Sequence, residues 1–146
     1  MVVVDSMNCC IANKGLEVYV WCLMPSHLHM IASVAPENDK GLSDVMRDFK
    51  GFTSKELLTK IDTEFEIRGE WVQKHFPTGS DTNQVWQEGM HPIELFTRKF
   101  TIQKVDYIHN NPVVAGIVDE AEHSLFSSAR DYFGYRKGLV DISYIG

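Results

Sequence analysis

The first third of the chain changes from helical to strand-like spacing of its hydrophobic residues. Residues 2–13 place apolar side chains three and four positions apart, which predicts an amphipathic helix closed by the turn residues 13–15. Residues 16–24 and 28–34 are apolar runs rich in β-branched and aromatic residues, separated by Pro25 and Ser26. This order predicts one helix followed by a two-stranded antiparallel hairpin.

The rest of the chain is mainly helical in pattern. An apolar stripe runs from Leu42 to about residue 60, with Ser43 as a candidate N-cap. Residues 94–111 are helical again, and Pro112 is expected to end or bend that helix. Between them, we expect a charged short helix and exposed loop over 62–84 and a short strand at 85–87. A last short helix at 128–133 should precede a loose tail over 134–146.

Length and composition indicate one globular domain spanning residues 1–146. The chain is 44% hydrophobic and 23% charged, which is close to the average for globular proteins. Its three cysteines lack CxxC spacing, which excludes a disulfide framework and a zinc ribbon. No apolar run is long enough to cross a membrane, and residues 1–5 are too short for a signal peptide. We therefore expect a cytoplasmic protein.

The charge balance argues against a nucleic-acid protein. The formal net charge is −6, whereas binding to phosphates usually depends on an excess of Lys and Arg. The acidic residues, however, concentrate at 62–70 and 119–122, while cations concentrate in two other segments. A local basic face therefore remains compatible with the sequence.

Two histidines form a candidate metal site at the start of the second strand. Because side chains alternate along a strand, His27 and His29 should project from the same face, with Leu28 on the other. Imidazole suits Mn²⁺, Zn²⁺ or Co²⁺ better than Mg²⁺, although oxygen ligands can complete a mixed shell. The alternative is a pair of histidines with structural roles only.

A tyrosine and an asparagine share one face of the helix over 94–111. Tyr107 and Asn111 are four residues apart, so they lie one turn apart. Held against the histidine strand, Asn111 could be the third metal ligand and Tyr107 a nucleophile toward a phosphorus atom. Lys104 and His109 are candidates to assist removal of the tyrosine proton. The alternative is a tyrosine that packs on the sheet with its hydroxyl at the rim.

Several segments, in order, resemble one known family. Residues 24–29, MPSHLH, resemble the MPNHVH signature of REP-associated tyrosine transposases and related insertion-sequence transposases. Residues 107–116, YIHNNPVVAG, resemble that family's YIHxNPVRAG block. Residues 42–53 are similar to its LSxxxRxFKxFT helix, residues 85–87 to its tryptophan segment and residues 127–132 to its SSARxY ending. The resemblance thus extends over most of the chain.

The resemblance implies both a fold and an activity. It implies an α+β fold of the HUH nuclease type, a ferredoxin-like sandwich with an antiparallel sheet and helices on one face. It further implies metal-dependent cleavage and rejoining of single-stranded DNA, commonly beside a hairpin. His27, His29 and Asn111 would bind Mg²⁺ or Mn²⁺, and Tyr107 would form a 5′-phosphotyrosine while a 3′-hydroxyl is released.

The chain departs from the family pattern in three places. Ser26 replaces the signature Asn, which should alter a turn hydrogen bond more than the chemistry. Val114 stands where the family usually has Arg, which removes a phosphate contact. The family's first β-strand, which normally precedes the first helix, is missing from the sequence. An exposed sheet edge would result, so we expect either a homodimer or an N-terminally incomplete chain.

Single-stranded DNA is usually held by cations on its phosphates and by aromatic faces under its bases. On this basis we select seven candidate DNA-binding residues: Lys50, Arg47, Lys55, Trp86, His91, Lys99 and Lys104. Lys50 and Trp86 rank first because they lie within the resembling blocks. Each could instead be a solvated charge or a core aromatic.

Two other function classes remain open. The acidic charge and Val114 favour a domesticated relative that binds hairpin DNA without cutting it. A small metal-dependent hydrolase that uses the histidine pair to activate water is the third class. A covalent protein–DNA adduct would distinguish the transposase-like enzyme from both.

Overall fold

In a computed structural model, the chain begins with the helix and hairpin that its pattern predicts. The structure describes residues 1–64, 86, 92–134 and 136–146, without the side chains of 61–64. Helix α1 spans Val2–Lys14 and ends at Gly15, whose φ of 64° is the left-handed conformation that glycine adopts readily. Strands β1, Leu16–Leu23, and β2, Leu28–Val34, pair in antiparallel fashion. The predictions for this part of the chain are confirmed.

A β-bulge at Tyr19 divides β1 into two parts. Val18 pairs with Ala32 and Val20 pairs with Ile31, so Tyr19 is the extra residue. One inserted residue exchanges the faces of the strand that follows it. After the bulge, β1 continues in a shifted register, in which Cys22 pairs with His29 of β2.

The two faces of the hairpin contact different helices. On one face, Leu16, Val18 and Trp21 join the core that α1 and helix α2 complete. Helix α2 spans Leu42–Glu64. On the opposite face, Val20, Cys22 and Met24 pack with Ile108 of helix α3, which spans Arg98–Val114. The α+β class is confirmed. The expectation of helices on one face was wrong, because α1 and α2 lie on one face and α3 lies on the other.

Helix α2 differs from its prediction at both ends. It begins at Leu42, so Ser43 lies inside the first turn rather than at the N-cap. The backbone N–H groups of Asp44 and Val45 are bonded to the carbonyl of Gly41 instead. Residues 62–64 continue α2 and do not start a new helix. Residues 65–84, 85 and 87 lie outside the described residues, and Trp86 is not in a strand.

Helix α3 starts later and ends later than its prediction. Its N-cap is Thr97, whose hydroxyl accepts the N–H of Phe100 at 3.2 Å. Pro112 lies inside the helix, which continues to Val114. Pro112 was expected to end or bend the helix, and the structure shows that it does not end it. Burial of Pro112 and the bond from Ala115 N–H to the Asn111 carbonyl at 3.0 Å hold the last turn.

The C-terminal residues pack against the sheet, so the prediction of a loose tail was wrong. Val140 is 1% exposed and belongs to the core around Trp21. The N–H of Ser143 is bonded to the Val18 carbonyl at 2.8 Å. The remaining short helices are a 3-10 turn at Ala121–His123 and helix α4 at Ala129–Tyr132, the latter inside the predicted 128–133.

The two edges of the hairpin are treated differently. The outer edge of β1 is covered by the chain around residues 126–128 and by Ser143. Within the part of the chain that the structure describes, β2 pairs with β1 alone. None of the described helices is long and apolar enough to span a membrane.

Candidate active site

His27 and His29 lie together at the start of β2. Their ring centroids are 4.6 Å apart and their planes are nearly perpendicular, at 83°. His27 is exposed, while His29 is partly buried opposite Cys22 of β1. Ser26 Oγ lies 2.9 Å from Nδ1 of His27. A partner on one ring nitrogen orients the ring and leaves the other nitrogen available to a ligand.

The environment of His29 favours the neutral imidazole. Partial burial is the main cause that lowers its pKa, and the charges of His27 and Lys104 lower the pKa further. Neutral imidazole is the form that binds metal ions. His29 is therefore in its ligand form at neutral pH.

Helix α3 brings Tyr107 beside the histidines. The Tyr107 and His29 rings meet edge to face, with centroids 5.6 Å apart and an angle of 76°. Tyr107 is 55% exposed, so its side chain is accessible to a large substrate. The Lys104 ammonium lies 5.4 Å from the centroid of the Tyr107 ring. A hydroxyl, a cation and two imidazoles thus lie within one small region.

Asn111 lies one helical turn beyond Tyr107 and fits the role of an oxygen ligand. Its Nδ2 is buried and has no hydrogen-bond partner among the described residues. That nitrogen is a hydrogen-bond donor and does not bind metal ions, so the metal ligand would be the other amide atom, Oδ1. No three His, Cys, Asp or Glu side chains converge on a metal position within the described residues. Two imidazoles and an amide oxygen remain a suitable mixed donor set for a divalent ion.

His109 is not positioned to assist Tyr107, which corrects the expectation from sequence. It is 4% exposed and its Nε2 lies 2.9 Å from Ser128 Oγ. Its ring also contacts Tyr132, with centroids 5.1 Å apart. Burial lowers the pKa of His109 to about 4, against a smaller opposing effect of Asp106. Side chains two positions apart on a helix point to nearly opposite sides, so His109 points away from Tyr107. His109 instead holds α3 against Ser128.

The segment around α4 connects α3 to β1. Ser128 Oγ accepts the Trp21 N–H at 3.0 Å, and the Ser128 N–H is bonded to the Trp21 carbonyl at 3.0 Å. The Tyr132 hydroxyl donates to the carbonyl of Tyr19, the bulged residue, at 3.0 Å. Sequence reasoning gave Ser128 and Tyr132 no role, although their SSARxY block was the available signal.

The candidate DNA-binding cations fall into two separate groups. Lys99 and Lys104 lie on α3, the helix that carries Tyr107. Arg47, Lys50 and Lys55 lie on α2, which packs on the opposite face of the hairpin. Arg47 forms ion pairs with Asp44 at 3.1 Å and Asp48 at 3.9 Å. The structure therefore brings only the α3 group to the side of the histidines.

The aromatic candidate of the tryptophan segment has partners within the fold. Trp86 donates its indole N–H to Thr53 Oγ1 at 2.7 Å, and its ring centroid is 5.9 Å from that of Phe49. Trp86 thus packs beside the α1–α2 core. His91 lies outside the described residues.

Comparisons with known proteins show the family and the fold of the chain. The family model described as "Transposase IS200 like" matches residues 3–88. A solved REP-associated tyrosine transposase bound to a REP hairpin superposes with a TM-score of 0.65 at 19% identity, covering 100% of this chain and 73% of the other. No curated protein matches. Since the family model covers more than half of the chain, the protein belongs to the IS200-like transposase family.

Proposed function

We propose that the protein cleaves and rejoins single-stranded DNA through a 5′-phosphotyrosine at Tyr107, as a single-tyrosine HUH transposase. The edge-to-face contact of Tyr107 with His29, at 5.6 Å, is the observation that carries the proposal. It joins a candidate nucleophile to a candidate metal ligand from a distant part of the sequence. Membership in a transposase family gives that pair a chemical purpose.

The proposed metal ligands are His27, His29 and Asn111. A bound Mg²⁺ or Mn²⁺ would polarise the phosphoryl oxygens as a Lewis acid. The two histidines would bind the metal from the β2 side of the site. The Ser26 hydroxyl, 2.9 Å from Nδ1 of His27, orients that ring. The Oδ1 atom of Asn111 would supply the oxygen ligand from the same helix face as the nucleophile.

The covalent step exchanges one phosphodiester bond for another. The Tyr107 oxygen forms a bond to phosphorus, and the bond from phosphorus to the 3′ oxygen breaks. The tyrosine proton leaves to solvent, and the released 3′ oxygen takes up a proton to become a hydroxyl. Attack by a 3′-hydroxyl on the intermediate reverses these events and restores Tyr107. No nucleotide cofactor is needed, because one ester replaces another.

Lys104 is the proposed phosphate contact at the reaction centre. Its ammonium lies 5.4 Å from the centroid of the Tyr107 ring, and its charge contributes to the lowered pKa of His29. A positive charge at this position attracts the phosphate that Tyr107 would attack. Lys99 is five residues before Lys104 on α3, so its side chain lies on a different side of the helix and it is not part of this contact.

The proposed substrate is single-stranded DNA that flanks a hairpin. The solved transposase of similar fold is bound to a REP hairpin. The test uses labelled hairpin DNA with single-stranded flanks, incubated with Mn²⁺ or Mg²⁺ and separated on a denaturing gel. We expect a metal-dependent adduct that Tyr107→Phe abolishes.

The matched control is Tyr144→Phe, because Tyr144 is also an exposed tyrosine, at 63% exposure. This variant should form the adduct at the normal rate. Loss of DNA without any adduct would instead indicate hydrolysis by activated water. An adduct that persists in Tyr107→Phe would exclude Tyr107 as the nucleophile.

A non-catalytic hairpin-binding protein is the second candidate. Val114 is 85% exposed on α3, at the position where related transposases usually carry Arg. The formal net charge of −6 also weakens the attraction of DNA. This candidate predicts metal-independent hairpin binding that Tyr107→Phe leaves unchanged, and no adduct.

A homodimer is part of the proposal. The outer edge of β2 has no strand partner within the described residues, and such an edge can pair with another chain. Light scattering during size-exclusion chromatography would distinguish one chain of 16.7 kDa from two. A single-chain mass at micromolar concentration would exclude the dimer.

A further inference from the structure

An aromatic–cation–aromatic stripe extends from Tyr107 toward the start of α3. Phe100, Lys104 and Tyr107 are spaced by four and three residues, so they share one face of the helix. Lys104 Nζ lies 5.4 Å from the Phe100 ring centroid and 5.4 Å from the Tyr107 ring centroid. The stripe is therefore continuous up to the ring that contacts His29.

The cation at the centre of the stripe has no anionic partner among the described side chains. Within the part of the chain whose side chains the structure describes, no carboxylate forms an ion pair with Lys104. By contrast, Arg47 on α2 has two carboxylates within 4 Å. Lys104 thus keeps its full charge available for a ligand anion.

Phe100 is not accounted for by the hydrophobic core. Its side chain is partly exposed, and it belongs to neither cluster of buried residues that the described part of the chain forms. Val105 and Ile108, on another side of the same helix, do pack into the cluster on that face. Among the described residues, the packing of α3 thus gives the aromatic ring at position 100 no place in either core cluster.

We propose that Phe100 is a base-stacking subsite for a nucleotide next to the scissile phosphodiester of single-stranded DNA. This inference rests on the proposed function and extends it. Seven residues of helix separate Phe100 from Tyr107 by about 10 Å along the axis, which leaves room for a phosphate on Lys104 between the two rings. Base–aromatic stacking tolerates any base, so the subsite fixes the strand's position without reading its sequence.

The first test is a scan with abasic DNA. Hairpin oligonucleotides, each lacking one base in a single-stranded flank, are bound to the full chain carrying Tyr107→Phe, which prevents covalent chemistry and keeps the ring. We expect one abasic position to weaken binding by roughly tenfold to a hundredfold. Phe100→Leu should weaken the binding of intact DNA by a similar factor. In this variant, removal of the base at that one position should cause no further loss of affinity.

The matched control is Ile102→Ala, because Ile102 is an apolar residue of the same helix with 52% exposure. This variant should keep the abasic profile, and Phe100→Trp should keep it as well. An equal penalty at every position, or a penalty that survives in Phe100→Leu, would overturn the subsite.

A second measurement needs no substitution at position 100. A 2-aminopurine base placed at each flank position in turn should lose fluorescence at the same single position when the Tyr107→Phe chain binds. Uniform fluorescence along the flank would also overturn the proposal. The adduct assay on the unmodified chain tests the nucleophile separately. The adduct can be absent while the stacking signal is present, and the stacking signal can be absent while the adduct forms.

Discussion

His109 on α3 and Ser128 beside α4 form a buried hydrogen bond, with Nε2 and Oγ 2.9 Å apart. The same Ser128 hydroxyl accepts the N–H of Trp21 in β1 at 3.0 Å. The helix that carries Tyr107 is thereby connected to the strand that pairs with the histidine strand. The distance between the candidate nucleophile and the candidate metal ligands thus depends on a residue that contacts neither.

Ser128→Ala should lower the free energy of unfolding by about 2–4 kcal/mol, because the buried Trp21 N–H and the His109 ring nitrogen both lose a partner. Urea titration measures the change. Ser43→Ala, at an exposed site in the first turn of α2, should change stability by less than about 0.5 kcal/mol. Equal effects of the two variants would contradict a role for the Ser128 network.

Stability should fall as the pH is lowered from 6.5 toward 4. His109 has a folded-state pKa of about 4 against 6.5 when unfolded, so only the unfolded chain takes up this proton in that interval. Protonation of this histidine has no effect on stability above pH 6.5. Below pH 4 it lowers the free energy of unfolding by up to about 3 kcal/mol.

The check is urea unfolding at several pH values, with His109→Gln as the comparison. The glutamine variant should show a shallower loss over this interval, since its side chain does not titrate. Parallel curves would mean that the acid sensitivity comes from carboxylates such as Asp48, whose pKa is lowered mainly by its hydrogen bond to Lys14.

Asn111→Ala should weaken Mn²⁺ binding by roughly tenfold or more, since even outer-shell partners of a metal contribute 10–100-fold. Binding is measured from the free Mn²⁺ signal in electron paramagnetic resonance. Asn110→Ala is the matched control, because Asn110 is the exposed neighbour on another side of the helix. Unchanged affinity in Asn111→Ala would remove it from the ligand set.

Lys104→Ala should reduce the slope of log Kd for single-stranded DNA against log salt concentration by about 0.7, the value for one phosphate contact on a single strand. Arg47→Ala should leave the slope unchanged, because Arg47 lies on α2, on the opposite face of the hairpin, and is paired with Asp44. The opposite pattern would place the DNA on the α2 side of the hairpin.

Local patterns predicted those parts of the fold that depend on neighbours in sequence. Helix α1 and the hairpin follow from residue spacing and turn residues within short windows. The bulge at Tyr19 was not predictable in this way, because its carbonyl is satisfied by Tyr132, 113 positions away. The continuation of α3 through Pro112 likewise depends on burial against other elements.

The candidate site divides along the same line. Strand alternation predicted that His27 and His29 would share a face, and helical spacing related Tyr107 to Asn111. No spacing rule predicted that α2 and α3 would lie on opposite faces, which separates the candidate cations into two groups. Nor could sequence distinguish Arg47, which forms ion pairs, from Lys104, which forms none with the described side chains, since ion pairs depend on side-chain positions.

The covering of β1 by residues 126–143 has a consequence for the order of folding. During synthesis, α1 and the hairpin leave the ribosome long before Ser128 and Ser143, which bond to Trp21 and Val18. Until then the outer edge of β1 is an unprotected template for pairing with other chains. Until Phe126, Ser128 and Ser143 have emerged, newly made molecules should therefore be more prone to aggregation than the folded protein.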